Sequence, residues 1–454
     1  MSAQFWTVDR VAAALEQCSS APLPRGPLEL AGITTDTRSI SAGQVFVALR
    51  GERFDGHDYL ESAVAAGAAA VVVSTAPRLG TLNVPVFQVE DTLVALGALA
   101  SYWRQAWGKT VVAVAGSNGK TTTKDLIRAA LSEEVRIHAT TGNLNNRIGV
   151  PITLLAIPAD AELAVVELGT NIPGEVGILR DITKPDIAVV TSVAEEHLEG
   201  LGDLAGVLRE ETACYDGVEV GIAPAGQPEI GEAAKGKAKR VVIAGLEAGA
   251  VKPRAWKLEP DGRGTIELNG VTVSPPLRGL HNLENTMLAI AVAEVCGVTH
   301  EAMATGIARM PAPKMRVAWE TVGRATLIND AYNANPGSTR AAIGLLKGVG
   351  DGRQRVIVLG TMRELGAASD TCHDDISRLA LDSGADVVAG VGDFAQSLKR
   401  VRPADDRVIT AGSVEELWPL LSPRLEPDAV ILLKASRGVQ LEQLVPHLTS
   451  WATQ

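Results

Sequence analysis

The sequence of 454 residues contains little cysteine, few aromatic residues and no excess of positive charge. Its four cysteines, Cys18, Cys214, Cys296 and Cys372, form no CxxC pair and lie in no zinc-type pattern with histidines. Isolated cysteines of this kind are typical of reduced intracellular proteins. We therefore expect four free thiols and a cytoplasmic protein.

Charge and hydrophobic runs exclude further classes. The chain has 42 Lys and Arg against 53 Asp and Glu, a formal net charge of −11, whereas coating a nucleic acid or an anionic membrane needs a basic face. The longest apolar stretch, residues 63–73, is far shorter than the roughly 20 residues of a membrane-spanning helix. The first residues carry no secretory signal. We expect neither nucleic-acid binding nor membrane insertion.

What the sequence does contain is a regular alternation of strand and helix patterns, in a chain long enough for about three domains. Strands at 45–49 and 70–74 flank a helix at 57–68, which predicts a parallel crossover. Later patterns predict strands at 110–116, 161–168, 186–193, 240–245, 264–270, 325–332, 355–360, 386–392 and 429–436. They predict helices at 91–106, 121–134, 283–297 and 337–347, and a linker at 310–315. We place the domains at 1–88, 89–312 and 313–454.

The strongest local motif is a glycine-rich turn between a buried strand and a helix. It comprises Gly116, Ser117, Asn118, Gly119, Lys120, Thr121 and Thr122. Backbone N–H groups in such a turn bind phosphate oxygens, the lysine neutralises the outer phosphates, and the Thr121 hydroxyl suits Mg²⁺. The usual pattern has a further glycine where this chain has Val114, so the turn alone is a weak signal.

Two more groups of polar residues follow predicted strands. Glu167 ends one strand and His197 lies just beyond another, and ligands bind at that edge of an open parallel sheet. Asn143, Asn145 and Asn146 form a polar loop that is either a turn cluster or a ligand contact. Together with the phosphate loop, these residues favour metal-assisted phosphoryl chemistry.

Nine collinear segments resemble the Mur ligases, the ATP-dependent amide-forming enzymes of peptidoglycan precursor synthesis. They lie at 34–59, 116–125, 142–151, 167–175, 195–207, 277–293, 329–342, 359–366 and 432–438. The resemblance implies an α/β, three-domain architecture, with a central doubly wound P-loop ATPase-type parallel sheet and a C-terminal Rossmann-like α/β domain. Within the family, EHLEG at 196–200 and NDAYNANP at 329–336 resemble the branch that adds a dipeptide.

The resemblance also implies roles for single residues. Lys120 and Thr121 are expected to hold ATP, and Glu167 and His197 to bind Mg²⁺. His281, Asn282, Asn285, Arg316, Asp330 and Asn333 resemble the residues around adenine, ribose and phosphates. Thr35, Asp36 and Arg38 match the uridine-nucleotide contact region of the first domain. An alternative for the segment at 281–285 is that it caps a helix beginning at 283.

One position departs from the family pattern. Fourteen residues after His197, relatives commonly carry a lysine that CO₂ carbamylates, whereas this chain has Glu211. A glutamate supplies a permanent carboxylate on a shorter arm. We expect Glu211 to help hold a second Mg²⁺ without CO₂; the alternative is a solvated helix residue with no part in the site.

The chemistry that the resemblance implies is amide formation through an acyl phosphate. UDP-N-acetylmuramoyl-tripeptide and D-alanyl-D-alanine would be the substrates, ATP and Mg²⁺ the cofactors, and the last domain would bind the amine and close on ATP. We expect a monomer. Two alternatives stay open: another amide ligase of the superfamily, such as a muramyl-peptide recycling ligase or a folylpolyglutamate synthase, and a non-catalytic nucleotide-binding regulator.

Overall fold

The computed structural model describes residues 5–51, 54–75, 82–312, 314–349 and 352–453. Three large sheets follow one another along this part of the chain, each with helices packed against it. We call the parts that carry them the N-terminal segment (up to residue 88), the central segment (89–312) and the C-terminal segment (from 314).

The N-terminal segment is built on a four-stranded parallel sheet of order β3-β4-β5-β6, beside a two-stranded ribbon of β1 and β2. Its strands are β1 Trp6–Thr7, β2 Glu29–Leu30, β3 Gly32–Thr34, β4 Gln44–Val47, β5 Ala70–Val73 and β6 Val86–Gln88, and its helices are α1 Val8–Leu15 and α2 Leu60–Ala65. The predicted parallel crossover from β4 to β5 is confirmed. Its helix is shorter than predicted, because Gly56–Tyr59 forms a 3₁₀ turn capped by Asp55.

The central segment holds a six-stranded parallel sheet of order β12-β11-β10-β7-β9-β8. Its strands are β7 Thr110–Ala115, β8 Ile137–Ala139, β9 Leu163–Glu167, β10 Ile187–Val190, β11 Val220–Pro224 and β12 Arg240–Ala244. The chain starts at β7 in the middle and winds outward to both sides, so this sheet is doubly wound, as expected. Its four inner strands, β7, β9, β10 and β11, are almost wholly buried and rich in Val, Ile, Leu and Ala, the pattern of a sheet covered on both faces, whereas the edge strands β8 and β12 are only partly buried.

Helices and a small antiparallel sheet complete the central segment. The helices are α3 Thr92–Trp107, α4 Lys120–Leu131, α5 Gly149–Leu155, α6 Glu175–Thr183, α7 Leu198–Leu201, α8 Leu204–Glu211, α9 Pro228–Ala234, α10 Leu280–Val295 and α11 His300–Ala308, and the small sheet joins β13 Ala255–Leu258, β14 Gly264–Leu268 and β15 Val271–Val273. Helix α10 begins at Leu280, before the predicted start at 283. The hypothesis that residues 281–285 cap a helix at 283 is therefore wrong, since these residues lie inside it.

The C-terminal segment carries a six-stranded sheet of order β16-β17-β21-β18-β19-β20, parallel except for the edge pair β16–β17. Its strands are β16 Ala318–Val322, β17 Ala325–Asp330, β18 Arg355–Gly360, β19 Val387–Val391, β20 Val408–Ala411 and β21 Val430–Lys434, and its helices are α12 Pro336–Gly348, α13 Ser369–Asp382, α14 Asp393–Val401, α15 Val414–Leu421 and α16 Leu444–Ala452. The predicted α/β alternation after residue 320 is confirmed. The domain boundaries at 88/89 and 312/313 stay predictions, and residue 313 lies outside the described residues.

Apolar packing joins the three segments unequally. One continuous core runs from Trp6 and Leu30 through α3 to Val111, Val166 and Ile230, so it spans the N-terminal and central segments. The two main cores of the C-terminal segment, by contrast, contain only residues from 315 onward. Within the described ranges, no helix is both long enough and apolar enough to cross a bilayer.

Candidate active site

A cleft of about 860 Å³ lies where the carboxyl edges of the central and C-terminal sheets face each other. The central segment contributes the loops after β7, β8, β9, β10, β11 and β12, and the C-terminal segment the ends of β17 and β21. Among the predicted site residues, the cleft is lined by Ser117, Asn118, Gly119, Lys120, Thr121, Thr122, Asn143, Asn145, Asn146, Glu167, His197, His281, Asn282, Asn285, Arg316, Asp330 and Asn333. Open parallel sheets bind their ligands at this edge.

The phosphate loop connects β7 to the first turn of α4. Gly116 has φ +119°, and a Cβ there would lie 2.3 Å from the Thr191 hydroxyl, so only glycine fits between the two strand ends. Gly119 packs against the side chain of Asn285 on α10 in the same way. The position of the missing motif glycine, Val114, lies fully buried inside β7, which runs one residue further, to Ala115, before the turn begins at Gly116.

Lys120 extends back over this loop. Its Nζ donates to the carbonyl oxygens of Gly116 at 2.5 Å and Ser117 at 3.3 Å. Burial opposes its positive charge, but the nearby carboxylates of Glu196, Glu211 and Glu167 outweigh that penalty and raise the pKa of Lys120. The lysine is therefore a fixed cation beside the phosphate loop.

Glu167 ends β9 with its carboxylate inside the cleft. Its Oε1 accepts a hydrogen bond of 2.9 Å from the Asn145 side-chain amide. Its Oε2 is buried and has no hydrogen-bond partner among the residues described. An orphaned carboxylate oxygen beside a phosphate loop suits a divalent cation that takes its remaining ligands from phosphates and water.

No closed metal cage exists in the described ranges, since nowhere do three His, Cys, Asp or Glu side chains converge on one point. Mg²⁺ does not need such a cage, because it usually binds through one or two carboxylates together with substrate phosphates. The residues present, Glu167 above all, thus fit Mg²⁺ as a partner of nucleotide phosphates.

His197 has a left-handed backbone, with φ 54°, at the start of the short helix α7. Its Nε2 lies 3.2 Å from Glu196, and its Nδ1 forms an ion pair with Glu364 of the C-terminal segment. Burial works against protonation of the ring, but the two carboxylates together raise its pKa to about 9. Both ring nitrogens face carboxylates in this arrangement, so one of them must leave its partner before the ring can ligate a metal.

Glu211 is the last residue of α8 and is 1% exposed. Its carboxylate accepts a hydrogen bond of 2.7 Å from the backbone N–H of Gly116, directly beneath the phosphate loop. Burial raises its pKa. The alternative of a solvated helix residue is therefore wrong, while a role at a second Mg²⁺ stays a prediction.

The C-terminal segment reaches the phosphate loop directly. Arg316 donates to the Thr121 hydroxyl at 3.0 Å, and its guanidinium lies 4.1 Å from the centre of the Tyr332 ring. Asn335, which caps α12, donates from its side-chain amide to Asn118 at 2.8 Å. Both contacts therefore join the phosphate loop after β7 to residues near the start of the C-terminal segment.

Further along the same wall, Asp330 ends β17 and forms a buried ion pair with Lys434 at the end of β21, 2.7 Å apart. Its other oxygen accepts the backbone N–H of Val317 at 3.0 Å. The Lys434 Nζ also donates to the carbonyl oxygen of Asn333 at 2.7 Å. The predicted ribose and phosphate contacts of this segment thus form one connected cluster.

Thr35, Asp36 and Arg38 lie outside the cleft, in the turn after β3. Asp36 caps this turn and holds the Arg38 guanidinium at 2.9 and 2.8 Å, while most of the Arg38 side chain stays exposed. The structure therefore does not bring this predicted uridine contact region together with the phosphate loop.

Four residues in or beside the cleft were missed in the sequence analysis: Glu196, Asn335, Glu364 and Lys434. Asn335 and Lys434 carried a usable signal, since one follows a buried strand within a polar NANP turn and the other ends a buried strand. Glu364 lies in the family-like segment 359–366, but nothing in that segment indicates a contact with His197, because only the packing of two segments brings the two residues together.

Comparisons with known proteins agree with this architecture. Three family models match in chain order: "Mur ligase family, catalytic domain" at 29–104, "Mur ligase middle domain" at 114–293 and "Mur ligase, glutamate ligase domain" at 315–437. A UDP-N-acetylmuramoyl-tripeptide–D-alanyl-D-alanine ligase from Bacillus subtilis is 35% identical over 92% of this chain and 93% of its own. The Escherichia coli ligase of the same name is 35% identical over 93% and 94%.

Solved structures show the same fold. A crystal structure of MurF from Acinetobacter baumannii superposes with a TM-score of 0.88 and 30% identity, over 98% of this chain and 99% of that chain. MurF ligase from Thermotoga maritima, solved in complex with ADP, has a TM-score of 0.83 at 24% identity, over 93% and 98%. From fold, site and sequence together, the chain belongs to the Mur ligase family.

Proposed function

We propose that this chain is an ATP-dependent ligase that joins D-alanyl-D-alanine to the terminal carboxylate of UDP-N-acetylmuramoyl-tripeptide, releasing ADP and phosphate. The reaction belongs to the synthesis of peptidoglycan precursors for the cell wall. The observation that carries the proposal is the cleft itself, in which a phosphate loop faces a second sheet edge. The chain that forms it is similar to ligases of that name over 92% and 93% of its length.

The reaction has to activate a carboxylate, because the leaving group would otherwise be oxide. The tripeptide carboxylate attacks the γ-phosphorus of ATP, the bond to ADP breaks, and an acyl phosphate results. The amine of D-alanyl-D-alanine then attacks the carbonyl carbon, and the tetrahedral intermediate expels phosphate to leave the amide. Both steps need fixed positive charge near the transferred phosphoryl group.

The chain supplies that charge at the phosphate loop. Lys120 and the backbone N–H groups at the start of α4 stabilise the transferring phosphoryl group. Arg316, already hydrogen-bonded to Thr121, adds a second cation from the opposite wall. Gly116, Ser117, Asn118, Gly119 and Thr122 complete the proposed nucleotide contacts, with Asn282, Asn285, Asp330 and Asn333 near the adenine, ribose and phosphates.

We assign one Mg²⁺ to Glu167, with Thr121 and His197 as further ligands, and a second Mg²⁺ to Glu211. When bound, the metal would neutralise charge on the phosphates. The fit depends on the unpartnered oxygen of Glu167. Thr121 and Glu211 each exchange a present contact to take part, and His197 exchanges its Glu196 contact, so that Glu364 stays on the other ring nitrogen.

The proposed substrate contacts lie in two separate regions, one inside the cleft and one outside it. Asn143, Asn145 and Asn146 face the cleft and would contact the peptide, and Thr35, Asp36 and Arg38 would contact the uridine nucleotide in the N-terminal segment. The C-terminal segment would bind the amine. We propose that the enzyme acts in the cytoplasm as a monomer.

Phosphate release tests the function. The assay contains ATP, Mg²⁺ and D-alanyl-D-alanine, with UDP-tripeptides ending in L-lysine or in diaminopimelate offered separately. We expect release that requires both the dipeptide and one of the tripeptides. Release that needs no dipeptide, or that responds to folate or to muramyl peptides without UDP, would contradict the proposal.

A further inference from the structure

The contact between Glu364 and His197 joins two parts of the chain that share no apolar core. Glu364 lies in the loop between β18 and α13, whereas His197 follows β10 of the central sheet. The two main cores of the C-terminal segment contain only residues from 315 onward, and the contacts described above between this segment and the phosphate loop are hydrogen bonds. Interfaces of this polar kind allow the joined parts to move relative to each other.

The loop that carries Glu364 is held firmly in place. The backbone N–H of Met362 donates to the His373 ring at 3.0 Å, that of Arg363 donates to the Ser436 hydroxyl at 3.0 Å, and Leu365 is buried. Glu364 itself has a left-handed backbone, with φ 65°. Such a conformation in a non-glycine residue persists only where its surroundings impose it, and it often marks a functional site.

The partner side is equally defined. His197 also has a left-handed backbone, and the Glu199 N–H two residues later donates to the Glu364 carbonyl oxygen at 3.3 Å. Gly366 lies against the same turn, since a Cβ there would be 3.2 Å from the Glu199 Cα. The backbone around Glu364 thus packs closely against the turn that carries His197, and this packing brings the Glu364 carboxylate to the His197 ring.

The two carboxylates beside His197 differ in origin. Glu196 belongs to the same turn as His197 and accompanies the ring in any arrangement of the segments. Glu364 reaches the ring only when the C-terminal segment is docked, meaning in contact with the central segment as described here. A carboxylate on one ring nitrogen fixes the orientation of the imidazole and determines what the other nitrogen presents to the site.

We infer that Glu364 is a positioning residue for His197, and that it completes the active site only when the C-terminal segment docks. The expected effect on turnover rests on the proposed function, whereas the expected effect on docking does not. Turnover would then require docking even when every substrate is already bound to its own segment.

Four variants test this. Glu364→Ala removes the carboxylate, Glu364→Gln keeps an acceptor oxygen without the charge, and Gly366→Ala pushes on the Glu199 backbone while leaving Glu364 intact. Glu199→Gln is the control, since it removes an exposed charge from the same interface and keeps the backbone hydrogen bond. Phosphate release gives kcat and KM, and small-angle scattering of the ligand-free protein reports docking.

We expect Glu364→Ala to lower kcat roughly 10- to 100-fold with little change in KM for the UDP-tripeptide, since loss of a partner that orients an active-site histidine has effects of this size. Glu364→Gln should recover part of the loss. Glu364→Ala and Gly366→Ala should both enlarge the radius of gyration, and Glu199→Gln should match the wild type.

Equal turnover and equal scattering of Glu364→Ala and Glu199→Gln would overturn the inference. A loss of turnover without any change in scattering would overturn its link to docking. If the wild type released no phosphate with either tripeptide, the proposed function would fail, while the scattering comparison would still decide whether Glu364 supports docking.

Discussion

At the scale of single residues, the charges around Lys120 determine how readily the neighbouring carboxyl groups ionise. One buried cation faces the carboxylates of Glu196, Glu211 and Glu167. Burial disfavours ionisation of Glu196, yet Lys120 and His197 still lower its pKa, whereas the pKa of Glu211 is raised. Of these two carboxylates, Glu196 therefore holds its negative charge beside Lys120 and His197, and Glu211 is the one that burial favours in the neutral form.

Substitution Lys120→Ala should remove most turnover, by a factor on the order of 10² to 10³, because it deletes fixed charge at the transferring phosphoryl group. Affinity for the UDP substrate should stay nearly intact, since the proposed uridine contacts lie outside the cleft. A phosphate-release assay and isothermal titration measure the two effects. Lys399→Ala, on the exposed face of α14, is the charge-matched control, and near-normal turnover of Lys120→Ala would refute the role.

Substitution Glu211→Ala should raise the Mg²⁺ concentration needed for half-maximal turnover, and wild-type activity should not change when CO₂ is removed. The variant also leaves the Gly116 N–H without its acceptor, at a cost of about 1–3 kcal/mol. Glu211→Gln separates the effects, because it keeps an acceptor oxygen and loses only the charge. Full activity of Glu211→Ala at limiting Mg²⁺ would contradict the metal role.

Acid should weaken the N-terminal segment through Asp55. The His57 backbone N–H, its ring and the Arg50 guanidinium lower the Asp55 pKa from 3.8 to about 2. A lowered pKa contributes stability above the unfolded value that is lost as pH falls through the folded one. The difference in unfolding free energy between wild type and Asp55→Asn should therefore shrink from pH 4 to pH 2. Urea titrations at fixed pH measure it; a constant difference would contradict the prediction.

At the scale of elements, one residue both starts a helix and bridges two segments. The Asn335 side chain accepts the Ser338 N–H at the N-terminus of α12 and donates to Asn118 of the phosphate loop. Helix capping needs only its oxygen, whereas the bridge needs its NH₂ group. The two roles can therefore be separated by substitution.

Substitution Asn335→Asp should keep the cap and lose the bridge, and it places a negative charge near Glu196. We expect nearly wild-type thermal stability but reduced turnover. Asn335→Ala should lose both roles, and the missing cap should lower the stability of the protein by about 1 kcal/mol. Thermal melts and phosphate release on both variants provide the check. Equal turnover of Asn335→Asp and wild type would show that the bridge is dispensable.

Elements were the level at which the sequence was most informative. Buried strands such as β7 and β18 are rich in β-branched residues, and the glycine-rich turn marks where α4 begins. The start of α10 was misplaced because Gly279, with no side-chain cap, precedes it and the polar residues His281 and Asn282 imitate a cap. Glu364 was unpredictable, since its role depends on a contact between residues 167 positions apart.

The whole molecule divides by its apolar cores into two parts. The core shared by α1, α3, α5 and the central sheet ties the N-terminal segment to the phosphate loop, while the C-terminal segment packs around its own sheet. Each part has an apolar core of its own, so we expect each to unfold as a unit.

Calorimetry should therefore show two unfolding transitions. Leu99→Ala, in the shared core, should lower the midpoint temperature of one transition, and Leu417→Ala, in the C-terminal core, that of the other. Each substitution should cost the part that contains it about 2–5 kcal/mol of stability. The two variants are matched in chemistry and in complete burial. A single transition that both variants lower equally would contradict the division.

The shared core also sets a condition on biosynthesis. It contains Trp6 and Trp103 from early in the chain and Tyr215 and Ile230 from much later. At about 5–20 residues per second, roughly 6–25 s of translation separate Trp103 from Ile230. During that interval the first segment leaves the ribosome with apolar surface that has no partner yet, so the nascent chain is open to chaperones and to aggregation until Tyr215 and Ile230 complete the core.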